Sequence, residues 1–455
     1  MSSQTMDDLK AWLKERRITE VECLVPDMSG IPRGKILPTS KFLASIDSET
    51  LRLPESIFGQ MVTGADAETE ITTYQAPDIV VVPDPDTIRI VPWYAEPTAQ
   101  VICDAVGRDG KVVAQAPREV LKRVLRLYES KGWRPVVAPE LEFYLAQKNI
   151  DPDYPLLPPA GRSGRPQTGR QAYGIDAVNE FDPLFEEVYD FCEAAEISID
   201  SLIHEEGVAQ VEINFNHGDP LSLADQVFLF KRTVRQAAMR HDIYATFMAK
   251  PYEQEPGSAM HLHQSVVETG KKGKSVFAAR SGRDTRLFHA HIAGLQTYLP
   301  AVMPMIAPYV NSYRRLVRYN SAPVNTHWGH ENRTVGLRVP ISDPQNRRIE
   351  NRVPGADANP YLAIAASLVC GYLGMAQNLS PTKPIEGNAY EKSARRMQLP
   401  RHLLDAIAEM RASKDLRDAL GDVFVTLYCD VKASEHDAYQ QVISPWERQH
   451  LLLNV

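Results

Sequence analysis

Leu9, Trp12 and Leu13 recur on one face of residues 6 to 16, behind Asp7 and Asp8. That is the pattern of a short amphipathic helix. EVECLVPD then alternates, turns at MSGIP and alternates again through RGKILP, which predicts a β-hairpin. DIVVVPD, TIRIVPW and AQVICDAV read as further short strands, and RDG at 108 to 110 as a turn. The period changes at APREVLKRVLRLYESKG, where Val120, Val124, Leu127 and Tyr128 recur at helical spacing behind Pro117. A proline suits the first turn of a helix. Beyond it, strands (VVAPELEFYL, AQVEINF, AMHLHQSV, TVGLRVP) alternate with helices (DPLFEEVYDFCEAAE, SLADQVFLFKRTVRQAAMRH, NPYLAIAASLVCGYLGMA). DPDYPLLPPAGRSGRPQTGRQ, rich in Pro, Gly and basic residues, reads as a surface loop or flap. The prediction is an α+β chain with a small strand-rich domain over 1–113 and a larger α/β domain over 114–455.

A length of 455 residues leaves room for both cores. The net charge of −8 argues against a nucleic-acid partner. Five cysteines (Cys23, Cys103, Cys192, Cys370, Cys429) are scattered without a CxxC pair. The first residues lack an apolar signal core, and no eighteen consecutive residues are apolar. The expectation is a soluble cytoplasmic protein with reduced thiols, off the membrane, in which no cysteine is catalytic.

Polar residues break the strand pattern in four places. On a strand, residues i and i+2 share a face, so Glu140 and Glu142 project together while Leu141 and Phe143 turn to the core. HEEGVAQVEINF brings Glu205, Glu206 and Glu212, GSAMHLHQS brings His261 and His263, and RRIENR brings Glu350 between Arg348 and Arg352. Any one of these alone reads as an exposed sheet face. Four on predicted strands of one domain, pointed into a shared cavity, would repel one another unless cations were present. Oxygen-rich clusters of this kind suit Mg²⁺ or Mn²⁺, with substrate phosphate completing the shell.

These segments resemble the glutamine synthetase family. KPYEQEPGSAMHLHQS (250–265) is similar to its nucleotide-binding signature, and NSYRRL, ENRTVGLRVP, RRIENR and ANPYLA follow in the family's order. The resemblance implies a small β-grasp-like domain ahead of a catalytic domain with an antiparallel sheet. It also implies two or more Mg²⁺ or Mn²⁺ ions per site, with L-glutamate and ATP as substrates. Glu142, Glu205 and Glu212 match the ligands of the metal nearer glutamate, and Glu140, His261 and Glu350 those of the metal on ATP. A slip of one residue would exchange Glu205 for Glu206. Gly257, Arg315 and Arg352 match the glutamate contacts. His263, Ser265, Arg333, Arg338 and Arg348 match the nucleotide and phosphate contacts. Arg315, Arg333 and Arg352 are the implied catalytic arginines. The family's assembly is two stacked hexamers, a dodecamer with active sites between subunits. An inactive relative would have lost ligands, yet all six positions are filled; P-loop and kinase motifs are absent.

Two departures bear on the nucleophile. Where the family carries a glutamate before Ala-Pro, part of its ammonium site, this chain has Ser321 in RYNSAP. Where a small-domain aspartate joins that site, it has Pro54, with Glu55 beside it. Fewer anions and smaller side chains favour an organic primary amine over ammonium. PDMSGIPRGKILP and APDIVVVPDPDTIRIVPW look most like the glutamate–putrescine ligase branch, so putrescine or another polyamine is the expected amine. The alternative is a divergent glutamine synthetase using ammonia. Trp93, Glu55, His327 and Trp328 are candidates for the amine's distal end, and Tyr390 lies near a modification site of some relatives.

Overall fold

The computed structural model describes residues 4–72, 75–270, 273–319, 321–392 and 394–455. Two sheets organise them. The first comprises β1 (Glu20–Pro26), β2 (Pro32–Pro38), β3 (Arg52–Pro54), β4 (Asp78–Pro83), β5 (Arg89–Ile90) and β6 (Thr98–Val106). Their order is β2-β1-β6-β4-β3, with β5 against β6. β1 and β2 form the hairpin that the alternation predicts, Glu20 opposite Pro38 and Pro26 opposite Pro32. β1 runs parallel to β6, which makes this small sheet mixed and β-grasp-like. The helix Met6–Glu15 starts at Thr5 in a reciprocal cap with Asp8 and buries Leu9 and Leu13.

The second sheet comprises β7 (Trp133–Gln147), β8 (Ile199–His204), β9 (Gln210–Phe215), β10 (Ile243–Thr246), β11 (Met260–Glu268), β12 (Trp328–His330), β13 (Leu337–Val339) and β14 (Ile349–Asn351). The order is β12-β13-β14-β11-β7-β9-β8, with β10 on β7. Every pairing in it is antiparallel except β12 with β13. One face is apolar, with Leu141, Phe143 and Leu145 fully buried. The helices Pro117–Glu129, Pro220–Arg240 and Pro360–Gln377 pack against this sheet.

Pro360–Gln377 is long and apolar enough to cross a membrane, at a mean hydropathy of 1.2, yet 83% of it is buried inside the fold, so it is a core helix here. Its partner, Arg286–Ile306, is absent from the predicted helices; Pro300 and Pro304 interrupt its period. The two helices touch through glycines. A Cβ at Gly294 would lie 2.1 Å from Cys370 O, and one at Gly374 2.1 Å from Ala290 O.

Arg118 ties the sheets together. It donates to Asp84 (2.7 Å) and Asp104 (2.8 Å) around the first sheet and to Asp225 (2.9 Å) on the Pro220–Arg240 helix. Asn359, capping Pro360–Gln377, donates to Asp27 O at the hairpin (2.8 Å). The apolar side of the second sheet is thus consumed by helices, and its polar side is left to chemistry.

Candidate active site

Residues paired across strands share a face. Glu142 pairs with Glu212, and Glu140 with both Asn214 and His261. His263 pairs with Glu350, and Glu350 with Arg338. Five strands therefore project their polar residues onto one side of the second sheet. Glu205 joins from the turn after β8, where its amide donates to Gln210 O (2.9 Å) and Ala209 takes a left-handed φ of 53°.

Three groups of ligand atoms lie within 4.8 Å of one another: Glu142, Glu205 and Glu212; Glu140, Glu212 and His261; Glu140, His263 and Glu350. Of Glu205 and Glu206, it is Glu205 whose carboxylate lies with those of Glu142 and Glu212. The two imidazoles belong to different groups that share Glu140, His261 with Glu212 and His263 with Glu350, where the resemblance implied His261 alone beside Glu140 and Glu350. His261 Nδ1 lies 3.4 Å from Glu140 and 3.9 Å from Glu350, while His263 Nε2 donates to Glu140 Oε1 at 2.6 Å. Arg348 Nε donates to His263 Nδ1 (3.2 Å), which fits a neutral ring carrying its proton on Nε2.

Burial and mutual repulsion set the charges. Burial, then the neighbouring Glu205, pushes Glu142 up to about 8, against the pull of Arg315. Burial and three neighbouring glutamates push Glu212 up to about 9. Glu205 is also raised, first by burial. Burial opposes ionisation of Glu140 too, but hydrogen bonds from His261 and His263 outweigh it and hold its carboxyl well below the usual range. Burial and then Arg352 depress His261 to about 4.

An oxygen donor set that holds protons at neutral pH for lack of positive charge fits a hard divalent cation. Asn214, whose Nδ2 donates to Glu212 Oε1 (3.0 Å), keeps a buried Oδ1 acceptor without a partner among the described residues. The linkage has a definite sign. The folded state keeps protons on Glu142 and Glu212 up to about 8 and 9, which an unfolded chain would release near 4.5. Metal-free stability therefore falls as pH rises through that window. A divalent cation bound there would displace those protons, so its binding would strengthen with pH. The gain in Tm on adding Mg²⁺ is expected to be larger at pH 8.5 than at pH 6, with proton release at pH 7 seen by calorimetry in two buffers. An equal gain at both pH values would contradict this.

The arginines surround the cluster. Glu350 accepts from Arg338 Nη1 (2.7 Å) and Arg352 Nη1 (2.5 Å). Nε of both arginines is buried and unpartnered among the described residues, which leaves a donor for an anion. Arg315 is buried, donating to Val353 O (2.7 Å) and Arg352 O (2.9 Å). Gly257 packs on its stem. Gln210 Nε2 bridges Gly257 O (3.1 Å) toward Glu142. On the other side of His263 a cavity of about 780 Å³ opens, lined by Glu140, Asn214, His217, His263, Ser265 and Arg348. That volume suits a bound small molecule.

Other predicted residues lie elsewhere. Arg333 is exposed between β12 and β13 and joins none of the cluster's hydrogen bonds among the described residues. Glu55 accepts from Gln115 (2.7 Å) at a separate cavity formed with Asp78 and Arg108. Trp93 packs on Phe191 and Arg232, and Trp328 donates to Thr382 O (2.7 Å). His327 is buried with both ring nitrogens unpartnered among the described residues. Tyr390 is buried and donates to Ala322 O (2.9 Å), so its hydroxyl is not presented for modification. Ser321 donates to Glu206 Oε2 (2.6 Å). Gln210, Asn214 and Arg170 escaped the sequence reading. The first two were legible, because QVEIN places residues 210, 212 and 214 on one face; Arg170 sits in a loop without periodicity.

Comparison with known proteins agrees with this geometry. A model of the glutamine synthetase catalytic domain matches residues 114–451. Gamma-glutamylputrescine synthetase of Escherichia coli (strain K12) is 34% identical, over 98% of this chain and 94% of its own length. Glutamate–isopropylamine ligase of a Pseudomonas species is 30% identical, over 96% of each. The solved structure of GmaS with ADP superimposes at a TM-score of 0.83 with 27% identity, over 98% of this chain and all of that one.

Proposed function

The chain belongs to the glutamine synthetase family, and from that premise we propose an ATP-dependent ligase that joins the γ-carboxylate of L-glutamate to a primary amine, putrescine or another polyamine. The observation that carries this reading is the pairing of clustered carboxylates with a serine, Ser321, at the rim where an ammonium-binding acid would stand.

A γ-carboxylate oxygen of glutamate attacks the terminal phosphorus of ATP, ADP departs, and γ-glutamyl phosphate remains. The amine nitrogen, after losing its ammonium proton, attacks the acyl carbon. The bond from acyl carbon to phosphate oxygen breaks, phosphate leaves, and a second proton leaves nitrogen as the amide forms. Bound divalent metal would neutralise phosphate and carboxylate oxygens, with Glu142, Glu205 and Glu212 holding one ion and Glu140, Glu350 and the two histidines bordering another. Arg338, Arg348 and Arg352 orient the phosphoryl oxygens through planar forks. His263 and Ser265 face the nucleotide in the large cavity, and Arg315 shapes the glutamate end with Gly257.

The same reading takes residues 1–113 as the smaller domain and 114–455 as the catalytic one. Glu55 would then serve a neighbouring subunit's site in a dodecamer of two stacked hexamers, in the cytoplasm, with Mg²⁺ or Mn²⁺ bound.

The test is phosphate release with ATP, Mg²⁺ and glutamate across ammonia, monoamines, putrescine and longer polyamines, with product mass checked. A diamine or polyamine is expected to exceed ammonia by about 100-fold or more in kcat/KM, about 2.7 kcal/mol of transition-state discrimination. Efficient turnover with ammonia instead would return the chain to glutamine synthesis.

A further inference from the structure

Glu206 stands beside a cluster glutamate but faces the other way. Its amide donates to Glu205 Oε2 (3.3 Å), while its own carboxylate is turned to Ser321 and Arg170. There Oε2 accepts from Ser321 Oγ at 2.6 Å and Oε1 accepts from Arg170 Nη1 at 3.0 Å. Arg170 comes from the Pro/Gly-rich loop. It also reaches Gln254 O (3.1 Å) and lies 3.8 Å from Glu255 Oε2. Val208 N donates to Glu255 Oε2 (3.4 Å).

The Ser321 side of this junction is held in place. Ser321 sits at a left-handed φ of 55°, a conformation that costs a non-glycine residue about 1–3 kcal/mol and needs surrounding support. The support is the Tyr390 hydroxyl on Ala322 O and the tilted packing of Tyr319 on Tyr390, centroids 5.2 Å apart. The Ser321–Glu206 hydrogen bond thus joins this turn to the turn after β8.

At that junction the Glu206 carboxylate has one cationic partner among the described residues, Arg170, which it shares with Glu255, and Ser321 adds only a neutral donor; Lys250 lies on the Glu255 side, where it donates to Glu255 O. Arg170 is half exposed and on a loop, so displacing it costs little. Tyr319, two residues from Ser321, is largely exposed and offers an aromatic face to the carbon chain of a ligand.

We propose that Glu206 is the carboxylate that receives the ammonium group of the substrate amine, with Ser321 fixing its rotamer and Arg170 filling the cation's place until the amine displaces it. The acid missing at position 321 is thereby supplied from the turn after β8. It comes from farther across the rim, and that distance leaves room for a substituted nitrogen. This rests on the amine-ligase reading above.

The experiment compares wild type with E206Q, E206D and R170Q at saturating co-substrates, using putrescine as the varied amine, and measures KM separately for amine, glutamate and ATP. E206Q is expected to raise the amine KM about tenfold or more, the scale of one charge-assisted hydrogen bond, with the glutamate and ATP KM within twofold. E206D should recover part of the loss. R170Q should lower the amine KM, because a competing cation is gone. An unchanged amine KM in E206Q, or an equal rise in all three constants, overturns the role given to Glu206 while leaving the ligase reading intact. Wild-type protein that turns over no amine overturns both.

Discussion

Glu350→Ala is expected to lower kcat by about 10³-fold or more, the scale of losing an electrostatic group at a phosphoryl-transfer site. It is also expected to destabilise the protein by about 3–5 kcal/mol, the usual consequence of removing one partner of a buried ion pair. Glu350 is 1% exposed, and each of its oxygens accepts from a different arginine. Burial alone would raise its pKa, but Arg352 and both histidines hold it down at about 2. Its carboxylate therefore contributes stability at all pH values above the unfolded range, lost only as pH falls toward about 2. Glu350→Gln keeps the shape and one acceptor, so it should recover much of the stability and little of the activity. Chemical denaturation and steady-state phosphate release, run on both variants, separate the two effects. An alanine variant turning over at a tenth of wild type would remove Glu350 from the machinery.

Gly257→Ala is the second large loss. Gly257 has no left-handed φ, so its need is for space. A Cβ there would lie 2.5 Å from Ala249 O and 2.5 Å from Arg315 Cγ. The carbonyl is backbone. The arginine cannot swing aside without breaking its bonds to Val353 O and Arg352 O. Overpacking of this kind costs about 1–3 kcal/mol. A shift of about 1 Å in Arg315 should raise the glutamate KM and cut kcat/KM for glutamate about 100-fold, with the KM for ATP little changed. Unaltered glutamate kinetics in a folded G257A protein would show that Arg315 does not shape that end of the site.

Much of this was legible along the chain. The hairpin at Glu20–Pro38 and the helices starting at Pro117 and Pro360 follow from alternation, helical period and capping residues. So does the choice between core and site on β7, where Leu141 and Phe143 are fully buried and Glu142 faces its carboxylate partners. Arg286–Ile306 was not legible, because its helical state depends on glycine-to-backbone contact with Pro360–Gln377, and its prolines speak against it locally. The amine end was half legible. Ser321 marks a missing acid, but nothing local to RYNSAP names its replacement.

The sequence by itself determined which side chains point away from the core, since a strand's two-residue period depends on the strand alone: Glu140 with Glu142, His261 with His263, Gln210 with Glu212 and Asn214. Tertiary structure alone decided which of these groups share a cluster. Glu140 meets His263 across 123 residues, and Ser321 meets Glu206 across 115. Such meetings depend on inter-strand register and loop path, which are set by how the buried faces pack and leave no periodic trace in the segments they join.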